Sequence, residues 1–241
     1  MIALDQKSTM EEVRERFDRD VERFSKLDTG QETTMDAPLV LQLLRELGRA
    51  WLNPGAQVLD LGCGAGNFSL ALAQEVNLLD CTLVDLSGPM LARATERVGD
   101  VNGAIVQTVQ GDMRTVALPE NKFDLIVTGA ALHHLRETAD WQQMFARLAG
   151  WLKPGGALFV FDYIMCDEPA VQEVLWARYG RYLESIGGAH LRQKVFAYIE
   201  REDSPRSLAF QLEMLRAAGF ATTEVLHRNG LFAAYYARKA V

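Results

Sequence analysis

Cysteine is scarce in this chain: Cys63, Cys81 and Cys166 are the three in 241 residues, with no CxxC pair and no Cys/His cluster. An odd, scattered set argues against a disulfide scaffold and gives no signal for a structural zinc site, so no metal is expected. Long apolar runs are missing as well. No stretch approaches the ~18–20 residues that a bilayer-spanning helix needs. Residues 1–23 are charged throughout and lack the apolar core of a signal peptide. A soluble, cytoplasmic protein without a membrane partner is the expectation. Positive charge is in deficit, 25 Lys+Arg against 32 Asp+Glu, for a formal charge of −7. That balance does not favour long-range attraction to nucleic acid. Internal repeats, low-complexity tracts and Pro/Gly/Ser linkers are also lacking.

What is present is enough apolar material for one large core, 49% of the chain. Val13, Phe17, Val21, Phe24 and Leu27 recur at spacings of three and four, which predicts one amphipathic helix over 10–27. Phe17, Val21 and Phe24 read as core. A loop over 28–36 follows, with Asp36 as cap of a helix to Trp51 and Pro38 in its first turn. Strands are then predicted at 57–61, 81–85, 104–109, 123–128 and 157–162. Helices are predicted at 66–74, 89–98 and 139–152, the last closed by Lys153-Pro154-Gly155-Gly156. Short apolar runs alternating with helices imply a parallel sheet covered on both faces. The rhythm breaks after Tyr163. Helical patterns at 168–186 and 190–201 flank Gly187-Gly188. Ser204-Pro205 is read as starting a helix to Ala218, closed by Gly219. Two last strands, 221–227 and 231–237, are joined by Asn229-Gly230, a hairpin signal.

The most informative stretch is Asp60-Leu61-Gly62-Cys63-Gly64-Ala65-Gly66-Asn67. A strand ends in an acid, breaks into alternating glycines and becomes a helix. Such a unit lets backbone approach a ligand and aims free N–H groups at it. A dinucleotide loop wants a third glycine where Asn67 stands, and no Gly-Lys-Ser/Thr phosphate loop is present. Asp60 adds negative charge, which suits a ligand carrying a cationic group. Asp85 ends the next strand, ~20 residues on, where an acid accepts from a ribose diol. Gly111-Asp112-Met113 sets a carboxylate beside a thioether, fit for an exocyclic amine and a purine face. Gly129-Ala130 leaves room for the reactive end, with His133 and His134 next to it. The two histidines point different ways on any regular element. One reads as structural, and His134 is the candidate for contact with ligand or as a base. Cys63 reads as a small loop residue rather than a catalytic thiol.

In this order these residues resemble the class I S-adenosylmethionine-dependent methyltransferases, over roughly 55–162. The resemblance implies an α/β, Rossmann-like, seven-stranded, mostly parallel sheet with an antiparallel last strand. It implies N-terminal helices and a helical insertion after strand 5. Residues 1–53 would form a helical cap, and 54–241 a methyltransferase domain whose insertion, 167–203, meets substrate. S-adenosylmethionine would be the cofactor. Asp60, Gly62, Cys63, Gly64 and Gly66 would form its first loop. Asp85 would take the ribose, Leu86 and Met90 would line the adenine, and Gly111, Asp112 and Met113 would meet its amine and ring. Gly129 and Ala130 would flank the methionine part. The N-terminal helix, the insertion and the 215–220 and 232–234 segments are similar to the branch that includes carboxy-S-adenosylmethionine synthase. There a cation binds the extra carboxylate, for which Arg192 and Lys194 are the candidates.

The resemblance implies methyl transfer to a small-molecule acceptor by in-line displacement, a reaction dominated by alignment. Alternatives are the carboxylated-cofactor synthase or another tRNA-pathway enzyme, and a non-catalytic S-adenosylmethionine-binding subunit. Substrate-facing candidates are His134, Asp162, Tyr163, Tyr179, Tyr182, His190, Arg192 and Lys194. A homodimer is left open, and the sequence names neither the acceptor nor its nucleophilic atom.

Overall fold

The structure is a computed structural model that describes residues 4–26 and 32–241. Leu27 and residues 28–31 of the expected loop lie outside the described residues. The seven strands are β1 (Gln57–Leu61), β2 (Asp80–Asp85), β3 (Ile105–Gln110), β4 (Phe123–Gly129), β5 (Leu152–Tyr163), β6 (Phe220–Asn229) and β7 (Phe232–Lys239). They form one sheet in the order β3-β2-β1-β4-β5-β7-β6. β1 to β5 are parallel, and β7 runs antiparallel to both β5 and β6. The mostly parallel sheet with one antiparallel last strand is as the resemblance implied.

Side-chain alternation along each strand builds two cores. Val58, Leu83, Val127 and Phe159 face one side of the sheet. Helices α3 (Ala37–Trp51), α4 (Asn67–Ala73) and α5 (Gly88–Val98) cover that side with Val40, Leu44, Leu72 and Ala94. Leu59, Leu61, Ile126, Leu158 and Val160 face the other side. There α6 (Thr138–Trp151) and α8 (Leu208–Ala217) bring Trp141, Phe145, Leu148 and Leu215, all buried. Burying each such side chain stabilises by about 1.5–3 kcal/mol. The chain steps from β3 at one edge back to β4 beside β1. That topological switch opens a crevice at the carboxyl ends of the strands.

Several local expectations are corrected. The single helix over 10–27 is two, α1 (Met10–Arg19) and α2 (Val21–Ser25). Asp20 breaks them at φ −99° and ψ 10°, its N–H turning back to Phe17 O. Aspartate is a weak helix former, and the apolar spacing runs unbroken across the gap, which hides it. Asp36 does not cap α3 with its side chain. It sits at φ 63°, and its carboxylate instead accepts from Asn229 Nδ2 and pairs with His227, both at 2.8 Å. The Lys153–Gly156 turn is a bulge inside β5, between the Phe123–Leu152 and Leu125–Ala157 pairings. Ser207, not Ser204, caps α8, its hydroxyl accepting from Phe210 N–H. The Ser204 N–H is committed to His133 O at 2.7 Å.

The insertion is α7 (Pro169–Glu202), broken at Gly187 and Gly188, the latter at φ 73°. Its first half buries Tyr179 and Leu183 against the sheet. Tyr179 and Tyr182 each donate a hydroxyl at 2.7 Å to backbone carbonyls of the segment before α3, Thr33 O and Glu32 O. α1 is tied down separately: Ser87, the cap of α5, shares a 2.5 Å bond with Asp18. So α1, α2 and α7 meet over the crevice, while α3 belongs to the layer beneath.

Candidate functional site

Under that meeting lies a cavity of about 300 Å³. Its floor is the set of loops after β1 to β4. Gly62, Cys63, Gly64, Asp85, Leu86, Met90, Gly111, Asp112, Met113, Gly129 and Ala130 all line it. Asp60 and Gly66 do not. Strand alternation turns Asp60 inward with Val58, where its carboxylate accepts from Ser69 N–H at 3.1 Å and Ser69 Oγ–H at 2.7 Å. Gly66 is a packing glycine: a Cβ there would stand 2.9 Å from Ala94 Cβ, so it lets α4 approach α5. Asp60 therefore sets the start of α4 and offers the cavity no direct charge.

The loop's amides also differ from expectation. Gly62 and Cys63 N–H both donate to Val84 O, at 2.8 and 3.0 Å, and Gly66 N–H donates to Cys63 O at 2.8 Å. Gly64 N–H donates to Asp85 Oδ2 at 2.8 Å. The glycines thus supply close approach rather than free donors. Gly62 and Gly64 hold φ +70° and +50°, where side chains are disfavoured.

Burial pushes the Asp60 carboxyl up to about 7, against the two Ser69 bonds. A folded value above the unfolded one means the native chain holds a proton that the unfolded chain has lost. That contribution is complete below about pH 4 and disappears as pH rises through about 7. Asp60→Asn removes the titration. Thermal melts of the variant and the parent should therefore diverge between pH 4 and 7, the parent losing ground by a few kcal/mol. Parallel pH profiles would overturn the buried-proton reading.

Asp85 holds the loop with both oxygens, accepting Gly64 N–H and, at 2.9 Å, Ser87 N–H. Burial raises its carboxyl despite those bonds. Asp112 is gripped by Arg114, whose Nε lies 3.0 Å from each oxygen and whose Nη2 lies 2.5 Å from Oδ2. Burial alone would raise Asp112; the Arg114 bonds outweigh it and hold the carboxyl below its ordinary value. An amine reaching Asp112 shares an acceptor already in use. The Cys63 thiol is pushed well up by burial and by the nearby Asp85 and Asp60, which removes it as a nucleophile.

The cavity's other wall is aromatic and polar. Phe17 and Phe24, expected as core, face it, their rings 5.7 Å apart. Tyr163, Tyr179, His134 and Lys194 line it, whereas Asp162, Tyr182, His190 and Arg192 do not. Arg192 pairs with Glu184 at 2.8 Å and borders a separate cavity of about 740 Å³ along α7. Asp162 lies beneath His133, accepting from its backbone N–H at 3.1 Å and from its ring Nδ1. Both histidines sit on a single turn after β4, Leu132–His134, their rings 4.3 Å apart. Burial lowers His133, but Asp162 and Asp203 outweigh it and push it up to about 9. Burial and the neighbouring His133 push His134 well below its ordinary value.

Sequence reading missed Arg16, Tyr198 and Asp203, all of which line the cavity. One signal was available. Leu191, Lys194, Val195, Tyr198 and Ile199 fall on one helical face of α7, and all five line the cavity.

A doubly covered sheet with loops at its switch point gathered on one cavity is the α/β arrangement in which ligands bind outside the carboxyl ends of the strands. Comparison with known proteins narrows the class. Residues 58–156 match the methyltransferase domain family. An uncharacterised methyltransferase of Mycobacterium tuberculosis is 35% identical over 119 residues, 49% of this chain and 55% of that protein. The chain thus spans little more than half the length of that relative. Demethylmenaquinone methyltransferase of Listeria monocytogenes is 28% identical over 180 residues, covering 73% of this chain and 74% of its own. The magnesium protoporphyrin IX methyltransferase of Synechocystis, solved with bound S-adenosylhomocysteine, superposes with TM-score 0.64 at 17% identity, over 96% of this chain and 99% of that one. Residues 58–156 are thus similar to a methyltransferase domain, and the fold is the one that the solved Synechocystis enzyme shares.

Proposed function

We propose that the protein binds S-adenosylmethionine and transfers its methyl group to a small-molecule acceptor. The observation that carries this is one cavity with two different walls. Asp85, Asp112, Met113 and Gly129 form the side suited to ribose, adenine and methionine. Phe17, Tyr163, Tyr198 and the His133–His134 turn form the side left for an acceptor. A subunit that only bound cofactor would not need the second wall. The chain's own contribution to transfer is alignment, since a sulfonium leaving group requires no acid. The aromatic wall suits a flat, largely apolar acceptor, and Phe17, Tyr163 and Tyr198 would hold it beside a cofactor seated on the other side.

Lys194 lines the same cavity and is the feature a carboxylated cofactor would use; Arg192 is spent on Glu184. One experiment separates the readings. Protein purified without denaturation is opened in acid and the released ligand is weighed by mass spectrometry, alongside calorimetric titration with S-adenosylmethionine. Release of S-adenosylmethionine or its demethylated product, with saturable calorimetric binding, is expected. A released mass larger by one carboxylate would support the synthase branch. No binding of S-adenosylmethionine by folded protein would overturn the proposal.

A further inference from the structure

The His133–His134 turn and the end of α7 meet in a way that methyl transfer by alignment does not use. Asp203, which ends α7, points Oδ1 between the two imidazoles. It lies 3.5 Å from His134 Nδ1 and 3.7 Å from His133 Nε2. Asp203 is 3% exposed, and its Oδ1 is a buried atom that accepts no hydrogen bond from any described residue. Among the described residues only the two imidazoles, at ion-pair distance, offset the burial of that oxygen, and a carboxylate at that depth is costly without a hydrogen bond or a bound cation. His133 is held by its other nitrogen: ring Nδ1 and backbone N–H both engage Asp162, which is 1% exposed. That bond aims Nε2 toward Asp203. His133, His134 and Asp203 all line the cavity, and Asp162 lies behind them.

We propose that His133, His134 and Asp203 form a binding site for a divalent first-row transition metal ion. One nitrogen from each histidine and one oxygen from Asp203 lie within 4.8 Å of one another. Metal–ligand distances of about 2.0–2.2 Å set neighbouring ligand atoms roughly 3–3.5 Å apart, so the three close by small rotations. Two imidazoles and a carboxylate suit zinc, and also iron(II), cobalt and nickel. Asp162 supplies the carboxylate behind a ligating histidine that orients such ligands. Three protein ligands leave a position open to the cavity. On the methyl-transfer reading, that position takes an oxygen of the acceptor, so the acceptor class is one that presents a hydroxyl or enol. The site itself does not depend on that reading.

The test uses untagged, chelator-stripped full-length protein without cofactor or acceptor, so its outcome is independent of methyl transfer. Zinc is titrated by calorimetry, and cobalt(II) by its visible absorption. One zinc per chain and cobalt bands of a nitrogen/oxygen site are expected. Asp203→Asn and His134→Ala should each weaken zinc binding by at least about tenfold. Asp162→Asn keeps all three ligands and should weaken it by about 10–100-fold. His227→Gln, at the distant hairpin beside Asp36, should change nothing. Cooperative melting of each variant establishes that it is folded. Should Asp203→Asn fail to fold, His134→Ala and Asp162→Asn decide. Folded parent protein that binds neither metal, or binding that His134→Ala and Asp162→Asn leave intact, overturns the site.

Discussion

Asp85→Ala is expected to weaken S-adenosylmethionine binding by about 10²–10⁴-fold. The argument starts at the ligand. A ribose diol offers two donors to one carboxylate, and a hydrogen bond to a charged acceptor contributes about 1.5–3 kcal/mol. Two such bonds amount to roughly 3–6 kcal/mol, or that span in affinity. The same carboxylate also holds the glycine loop, through Gly64 N–H and Ser87 N–H. Loss of the side chain therefore removes the ribose contacts and loosens the neighbouring wall at once. Asp85→Asn separates the two. It keeps one acceptor oxygen and loses the charge, so its affinity should fall between parent and alanine variant. Acidity provides an independent check. Burial raises the Asp85 carboxyl above its ordinary value, so affinity should begin to fall on acidification before an ordinary carboxylate takes its proton. Calorimetry on the parent and both variants checks each point, and unchanged affinity in Asp85→Ala would remove the ribose assignment.

That Asp85 and Met113 reach the cavity was legible because each depends on one residue just after one strand. Asp85 and Met113 need only the strand before them to be correctly found, and periodicity finds buried parallel strands well. Gly187-Gly188 was legible for a similar reason, since two glycines interrupt a helix wherever they fall. The histidine–aspartate cluster was not legible. Asp203 reaches His133 only because α7 runs out from β5, bends at Gly188 and returns. No local pattern encodes where a helix of that length ends in space. Asp60 failed differently. Its charge suggested a ligand contact, but a one-residue alternation within β1 turned it under α4 to Ser69. Phe17 and Phe24 carried a pattern that any apolar face satisfies. Whether such a face meets a core or a cavity depends on what the rest of the chain brings to it, and here that is α7 together with the loops after β1 to β4.

Gly62 offers a case where two costs can be told apart. Gly62→Ala is expected to destabilise the fold by about 2–5 kcal/mol and to impair cofactor binding. One part is conformational: at φ +70° an L-residue costs about 1–2 kcal/mol. The other is steric. A Cβ on Gly62 would stand 2.6 Å from Ala131 Cβ, and overpacking of that kind costs about 1–3 kcal/mol. Neither atom is the end of a flexible chain. Nor can the loop slide freely, because Gly62 N–H is bonded to Val84 O at 2.8 Å. Gly64→Ala isolates the first part, since φ there is +50° and a Cβ meets nothing within 4 Å. It should cost only about 1–2 kcal/mol. The Gly62→Ala/Ala131→Gly pair isolates the second. Measured against Ala131→Gly alone, Gly62→Ala should then cost no more than Gly64→Ala does. Denaturant unfolding of the four variants gives the coupling between positions 62 and 131 directly. A coupling of about 1–3 kcal/mol is expected if the loop after β1 is wedged against the turn after β4. Coupling near zero would mean that the loop yields, and that Gly62 is required for its backbone angle alone.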